Sequence, residues 1–234
     1  SLCGIQKQHQ VNMWYRCRFS LRDSYKGKRI LMNFGAADYY SVIFVNNYKV
    51  GIHKGGYDAF DFDITNYLKT GTNQIVVGVQ DKNDGRTVSG KNGPRGDYTN
   101  TSGIWQTIWL EPVESSYIKC IKLTPDVANS RLLLQVNAGV AEKVTEEVAG
   151  DATNDAAKEI TAKNEGSIEA EVLIGEKLVT IAKGGTNQSF SINLKNPILW
   201  SPDNPFLYDL RIILKDKHGK VTDVVKSYFG MRSV

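Results

Sequence analysis

The chain has 234 residues, of which 41% are hydrophobic and 23% are charged, and its formal net charge is +4. These values are typical of a globular protein with one large β domain or two of ordinary size. Lysine and arginine form no cluster, and we expect no nucleic-acid partner, because phosphate binding requires a concentrated basic surface. No apolar run approaches the roughly 18 residues of a membrane span, and we therefore expect no membrane partner.

The three cysteines, Cys3, Cys17 and Cys120, are odd in number and have no recognisable spacing. No Cys-x-x-Cys pair or His/Cys pattern typical of zinc occurs, so we expect no cofactor or metal and interpret the cysteines as buried thiols. The chain begins with Ser1 rather than Met, so the lack of an apolar leader is only weak evidence about export.

The N-terminal part of the chain alternates between polar and apolar residues with a period of two. Side chains that share one phase of this alternation lie on one face of a strand. The pattern predicts a strand around Trp14, a turn at residues 24–28 and a second strand after the turn. We expect the inward rows of these strands to be Tyr15, Cys17 and Phe19, and Ile30, Met32 and Phe34.

A hairpin is predicted within residues 33–64, the stretch with the clearest sheet pattern. An apolar alternation at residues 42–45 breaks at Asn46 and Asn47 and resumes at residues 48–50. Two consecutive asparagines tolerate the positive φ that a two-residue hairpin turn demands.

The strand that follows combines inward aromatic residues with outward carboxylates. Phe60, Phe62 and Ile64 share one face, and Asp61 and Asp63 share the other. Two carboxylates on one face could bind a cation, but the alternation is also typical of a row that faces solvent. We favour the solvent-facing row and expect Asp63 or Thr65 to cap the turn that follows.

A stretch without periodic pattern runs from residue 81 to residue 101, after a strand predicted at residues 74–80. Loops of this length are usually functional or disordered, because most connections have about 4–6 residues. Strand pattern returns at residues 103–111, where Trp105 and Trp109 share one face. Such a pair could form an exposed platform for a sugar ring, but core packing is the commoner use and is what we expect.

The second half of the chain contains further short strands separated by turns, which is typical of a β-sandwich. A change in composition after Pro112 predicts a domain boundary near Ser115. Residues 141–165 are rich in Ala, Glu and Lys, which favours helix, but strands flank them on both sides and we expect strand and loop there. The remaining strands are predicted at residues 118–123, 132–136, 168–174, 178–182, 189–194, 207–215 and 221–229.

Several sequence motifs resemble one enzyme family in order. NNYKVGIHKGGYDAFDFDIT at residues 46–65, with GTNQIVVGV at 71–79, resembles the sugar-binding sandwich that opens family 2 glycoside hydrolases, the β-galactosidase, β-glucuronidase and β-mannosidase group. WYRCRF and SGIWQTIWLEPV resemble an early and a late strand of that sandwich. LWSPDNPFLYDL and DVVKSYFGMR resemble the end of the immunoglobulin-like domain that comes next. The chain differs in having Asn47 where the family usually has Gly, and only 13 residues before Trp14.

The resemblance implies an all-β chain of two antiparallel β-sandwiches. We expect a galactose-binding-like jelly roll, the sugar-binding domain, at residues 1–114 and an immunoglobulin-like β-sandwich at residues 115–234. Trp200 is expected to pack the second sandwich against a neighbouring domain.

The resemblance also implies that the catalytic residues lie elsewhere. A retaining glycosidase needs two carboxylates about 5–5.5 Å apart. In the family both lie on a (β/α)8 barrel of about 250 residues, and here the 234 residues are accounted for by sandwiches. We therefore expect no catalytic residue in this chain. The expected partners are a carbohydrate substrate and the catalytic barrel domain of the parent chain, and the expected location of the parent protein is periplasmic or secreted.

Substrate contacts are expected from the long loop. Asp97 matches the position from which some family members extend an Asp into the substrate pocket, and a carboxylate can accept hydrogen bonds from two sugar hydroxyls. Lys91 and Tyr98 are its expected companions, and Tyr98 could stack on a sugar ring. The alternative is a solvated Asp in a turn, with an aromatic residue that merely folds the loop.

Two further alternatives concern His53 and the end of the chain. His53 lies in a glycine loop and could act as an acid or base, but no partner carboxylate is implied and we expect a structural role. The alternative to a glycosidase portion is a stand-alone carbohydrate-binding or adhesion module. The segment at residues 229–232 argues for the glycosidase portion, because in the family it leads into the first barrel strand.

Overall fold

Antiparallel strands dominate residues 10–82, 101–140 and 166–233, which are the residues that the computed structural model describes. These residues divide into two compact units, one ending at Pro112 and the other beginning at Val113. The all-β fold predicted from the sequence is confirmed.

The first unit contains nine of the described strands. They are β1 (Asn12–Ser20), β2 (Arg29–Phe34), β3 (Ala37–Asp38), β4 (Tyr40–Val45), β5 (Tyr48–Lys54), β6 (Phe60–Asp63), β7 (Thr72–Gln80), β8 (Gly103–Ile104) and β9 (Ile108–Val113). One sheet has the order β1-β7-β4-β5, a second has the order β6-β2-β9, and β3 pairs with β8. Short 3-10 helices occupy Asp23–Tyr25 and Thr65–Tyr67.

The core of the first unit lies between the four-stranded and three-stranded sheets. The predicted inward row of β2 is confirmed, because its side chains are buried and pack with residues of β4 and β7. Phe34 also stacks on Phe60, with ring centroids 4.4 Å apart. The buried members of this core are Ile30, Met32, Phe34, Ile43, Val45, Ile64, Ile75, Val77 and Val79.

The hairpin between β4 and β5 turns at the predicted asparagines. Asn46 has φ 48° and Asn47 has φ 72°, the left-handed values that a two-residue turn of this kind requires. The Asn46 side chain donates to the Tyr67 carbonyl at 2.7 Å and accepts from the Gln74 N–H at 3.0 Å. The turn is therefore held by the neighbouring segments as well as by its own backbone.

The second unit contains the other seven described strands. They are β10 (Ser116–Asp126), β11 (Arg131–Val140), β12 (Ser167–Ile174), β13 (Lys177–Gly185), β14 (Ser189–Asn193), β15 (Tyr208–Lys215) and β16 (Val221–Phe229). A sheet of order β10-β11-β14 and a sheet of order β13-β12-β15-β16 enclose a core of aliphatic side chains. The predicted strands of this half are confirmed, and residues 141–165 lie outside the described residues.

Tyr15 and Cys17 lie on the inner face of their sheet, opposite Val77 and Ile75, but they are not buried as expected. Tyr15 is 36% exposed, Cys17 is exposed, and only Phe19 of the predicted row packs against the core. β1 is the outer strand of its sheet, so little of the opposite sheet covers it. Cys120 is also an exposed free cysteine, so the buried-thiol interpretation is wrong for both described cysteines.

The predicted strand at residues 103–111 is interrupted. β8 ends at Ile104 and β9 begins at Ile108, and Trp105 lies between them. Trp105 is 38% exposed and Trp109 is 45% exposed, so the expectation that both pack in the core is wrong. In the part of the chain that the structure describes, no helix is long and apolar enough to cross a membrane.

Candidate functional site

The predicted substrate-contacting residues, Asp97, Tyr98 and Lys91, lie outside the described residues. The structure does describe the two ends of their loop, residues 81–82 and 101–105, which we call the loop base.

A short side-chain hydrogen bond joins the two ends of the loop base. The Ser102 hydroxyl donates to Asp81 Oδ2 at 2.5 Å. Asp81 is 2% exposed, and its backbone N–H donates to the Val11 carbonyl at 2.9 Å. Because a carboxylate acceptor strengthens a hydrogen bond, this contact holds residues 81 and 102 firmly together.

The pairing of β3 with β8 anchors residues 103 and 104 of the loop base to the first unit. Asp38 lies opposite Gly103 in this ladder, and Ala37 lies opposite Ile104. Gly103 has φ +90° and lies against the Tyr15 hydroxyl, so it combines a left-handed backbone with a lack of space for a Cβ. The Tyr15 hydroxyl also accepts a hydrogen bond from the Ile104 N–H at 3.4 Å.

Trp105 connects the loop base to the segment after β5. Its indole Nε1 donates to the Gly56 carbonyl at 2.8 Å. The Tyr57 ring packs edge-on against the Trp105 ring, with ring centroids 6.5 Å apart and an interplanar angle of 77°. The polar edge of the indole is thus engaged by backbone while part of the ring stays open to solvent, which is a common arrangement for a partly buried Trp.

Asp38 is a wholly buried carboxylate beside the same segment, and the sequence analysis did not single it out. Its exposure is 0%, and the peptide bond between Asp38 and Tyr39 is cis. A Cβ added at Gly56 would lie 2.8 Å from Asp38 Oδ1, so the carboxyl group and the Gly56 backbone touch. The sequence did carry a signal that Asp38 is buried, because it is a single charged residue between two alanines and two tyrosines in GAADYY.

His53 stacks on an aromatic ring instead of forming an acid/base pair. Its ring stacks on Phe60, with centroids 3.8 Å apart, and its Nε2 is buried with no hydrogen-bond partner in the described residues. Burial lowers the pKa of His53, and the charge of Asp58 opposes this shift. A neutral stacked imidazole without a partner agrees with the structural role expected from the sequence.

The carboxylates of β6 also have a structural arrangement. Asp63 accepts hydrogen bonds from the Thr65 N–H at 2.9 Å and the Thr65 hydroxyl at 2.6 Å, and it pairs with Arg29. These contacts precede the 3-10 helix at Thr65–Tyr67, whose N-cap residue, Ile64, has no side-chain cap, so the cap expected at Asp63 or Thr65 is not formed. Asp61 is exposed. Over residues 10–82, 101–140 and 166–233 no group of three or more His, Cys, Asp or Glu side chains could hold a metal ion.

In the second unit Trp200 contacts the end of the described chain. The Arg232 guanidinium carbon lies 4.6 Å from the centroid of the Trp200 ring. The backbone N–H of Trp200 donates to the Met231 carbonyl at 3.0 Å. A cation over an indole face is a favourable contact. The expectation that Trp200 packs against a neighbouring domain stays a prediction.

Two family models match the chain in succession. The model "Glycosyl hydrolases family 2, sugar binding domain" matches residues 5–112, and the model "Glycosyl hydrolases family 2" matches residues 116–232. A beta-galactosidase of Thermoanaerobacter pseudethanolicus is 30% identical over 98% of this chain and 29% of its own length. A putative beta-glucuronidase of Formosa agariphila is 27% identical over 94% of this chain and 25% of its own length.

A solved structure is similar in fold. The crystal structure of a putative beta-galactosidase from Bacteroides fragilis superposes with a TM-score of 0.72 at 22% identity, and the match covers 96% of this chain and 33% of that chain. The present chain therefore spans about a quarter to a third of the length of these similar proteins.

Proposed function

Because the chain belongs to family 2 of the glycosyl hydrolases, we propose that it is the non-catalytic, two-sandwich portion of a β-glycosidase. In this proposal the two units support a catalytic (β/α)8 barrel, and the first unit helps to line the substrate pocket. The substrate class is a β-glycoside, since the similar proteins are named as beta-galactosidases and beta-glucuronidases.

The observation that carries the proposal is the order and extent of the matches. Both family models follow one another along this chain, and the similar proteins match 94–98% of it with only 25–29% of their own length. A barrel needs about 250 residues, and the two family models already match residues 5–112 and 116–232 of the 234. The pair of carboxylates that a retaining glycosidase requires would then belong to another part of the parent chain.

The loop base supports a role for the first unit at the pocket. In the sequence Asp97 lies between the buried Asp81 and Ser102, two residues joined by a hydrogen bond. Binding residues are commonly placed on loops that a rigid scaffold positions. In the proposal the Asp97 carboxylate accepts hydrogen bonds from sugar hydroxyls, while Tyr98 and Lys91 contribute a stacking surface and a donor.

The second candidate function is a stand-alone carbohydrate-binding or adhesion module. The matched segment FGMR at residues 229–232 favours the glycosidase portion, because a free module has no need of a lead into a barrel. The gene sequence after the codon for Val234 distinguishes the two candidates. A following barrel with a pair of catalytic carboxylates supports the glycosidase, and a stop codon at that point overturns it.

An activity assay tests the proposal independently. The 234-residue chain and the full gene product are each assayed on nitrophenyl β-galactoside, β-glucuronide and β-mannoside. We expect hydrolysis of at least one of these by the full product and rates equal to buffer for the 234-residue chain. Turnover by the 234-residue chain that persists after repurification would show that a catalytic pair lies within it.

A further inference from the structure

We propose that the outer face of the four-stranded sheet of the first unit binds a pyranose ring of a saccharide, at a groove formed by Trp14 and its cross-strand neighbours. This groove shares no residue with the loop base. We call it the Trp14 groove and define it by Trp14, Gly78 and Val42 together with Asn12, Gln80 and Tyr40.

The Trp14 groove lies on the side of the sheet away from the core. Val77 and Val79 of β7 are buried in the core, so Gly78 between them faces outward. Trp14 is directly opposite Gly78 in the ladder, and Val42 is opposite Gly78 on the other side. These three residues therefore form one continuous row across β1, β7 and β4.

The lack of a side chain at Gly78 lets the Trp14 indole reach across the sheet. A Cβ added at Gly78 would lie 2.7–3.1 Å from three carbons of the six-membered indole ring. Nevertheless Trp14 is 68% exposed, the largest exposed fraction among the large apolar side chains described. An aromatic ring that is supported by backbone and open to solvent is a rigid stacking surface, with little conformational entropy left to lose on binding.

A polar row runs beside the apolar row. Asn12, Gln80, Tyr40 and Lys54 are successive partners across the four strands. Gln80 Nε2 donates to Asn12 Oδ1 at 3.0 Å, and the two side-chain amides have further donors and acceptors besides this bond. The Lys54 ammonium lies 5.8 Å from the centroid of the Tyr40 ring and adds a cationic donor at the end of the row.

The two rows together match the shape of a pyranose. A pyranose has an apolar face of C–H groups and a rim of hydroxyls, so the face can stack on Trp14 and Val42 while the rim meets the amides and the phenol. The groove has a volume of about 320 Å³, at the lower end of the roughly 300–1,000 Å³ of small-molecule sites. The match of residues 5–112 to a sugar binding domain agrees with this ligand class.

The test is a titration of the 234-residue chain with methyl β-galactopyranoside and methyl β-glucopyranoside, followed by NMR of the indole N–H groups. The chain has four tryptophans, so four indole signals report on separate places. We expect the Trp14 signal to shift with a dissociation constant in the range of about 1 mM, as is usual for a small ligand on a shallow groove.

Four variants complete the test. Trp14→Ala should weaken binding at least tenfold, and Gly78→Ala should do the same by displacing the indole while keeping Trp14 itself. Trp109→Ala, at another exposed Trp that lies on β9, should leave the affinity unchanged. Gln80→Leu should weaken binding severalfold without disturbing the stacking surface, and the indole spectrum of each variant reports whether it is folded.

Three results would overturn the proposal. The first is the absence of any shift of the Trp14 signal at sugar concentrations of tens of millimolar. The second is a shift confined to Trp105, which would place the sugar at the loop base. The third is a sedimentation result showing that the chain self-associates through Trp14, because this face would then be an interface between copies. The glycosidase proposal is unaffected by each of these results, since it rests on hydrolysis by the full product.

Discussion

The imidazole ring of His53 lies almost parallel to the ring of Phe60, with a centroid distance of 3.8 Å and an interplanar angle of 12°. The stacking places His53 Nε2 in a buried position without a hydrogen-bond partner in the described residues. Burial lowers the pKa of His53, and the attraction of Asp58 only opposes this shift. Protonation of His53 therefore acts against the folded state.

The first prediction is that acid destabilises the fold through His53. The pKa is lower in the folded chain than the value of about 6.5 in the unfolded chain, so below that value the unfolded state binds more protons. The contribution of neutral His53 is fully present above about pH 6.5 and is lost as the pH falls toward the folded pKa, with a slope of at most about 1.4 kcal/mol per pH unit.

Urea unfolding at pH 7.5 and pH 5.0 measures this effect. We expect His53→Phe, which keeps an aromatic ring against Phe60, to lose less stability between the two pH values than the unsubstituted chain. His218→Gln, at an exposed histidine, is the matched control and should behave as the unsubstituted chain does. An equal loss for His53→Phe and the unsubstituted chain would contradict the prediction.

The second prediction separates two neighbouring carboxylates. Asp63→Ala should lower the free energy of unfolding by about 1.5–3 kcal/mol, because it removes the hydrogen bonds to Thr65 and the charged partner of Arg29. Asp61→Ala, an exposed position on the same strand, should change it by no more than about 0.5 kcal/mol. Urea midpoints of the two variants provide the comparison, and similar midpoints would mean that the Asp63 contacts contribute little.

The third prediction concerns crowding at Gly56. A Cβ there would lie 2.8 Å from Asp38 Oδ1, and Asp38 is wholly buried, so Gly56→Ala should destabilise the first unit by about 1–3 kcal/mol. Gly71→Ala provides a contrast, because Gly71 has open space and a φ of +83°, so its cost comes from backbone strain, whereas Gly56 is not in the left-handed region and its cost comes from crowding. In a double-mutant cycle, Asp38→Ala should relieve part of the cost of Gly56→Ala. Additive costs would show that the two residues do not interfere.

The fourth prediction tests the proposed substrate contact in the full-length enzyme. Asp97→Ala should lower kcat/KM by an amount equivalent to about 1.5–3 kcal/mol, the value of a lost charged hydrogen bond. Asp84→Ala, in the same loop sequence, is the matched control and should leave kcat/KM unchanged. The melting temperature of both variants should equal that of the unsubstituted enzyme. A lowered melting temperature for Asp97→Ala alone would assign Asp97 to the fold instead of the substrate.

Much of the fold could be predicted because its signals are local. Alternation with a period of two identified the strands, and the paired asparagines identified the hairpin turn, since both depend on residues adjacent in sequence. The errors in predicted burial arose where the opposite sheet does not cover a strand. The period assigned Tyr15 and Cys17 to the inward face, but on an outer strand that face is only partly covered.

By itself the sequence determined the strand periods, the hairpin turn and the motifs of family 2 glycosyl hydrolases, all of which are short contiguous patterns. Only the tertiary structure placed Asp38 against Gly56 and aligned Asn12, Gln80 and Tyr40 in one row. These relationships depend on strand order and register, which join residues tens of positions apart. Periodicity shows that a strand has two faces, but it does not show which strands lie beside it or what covers each face.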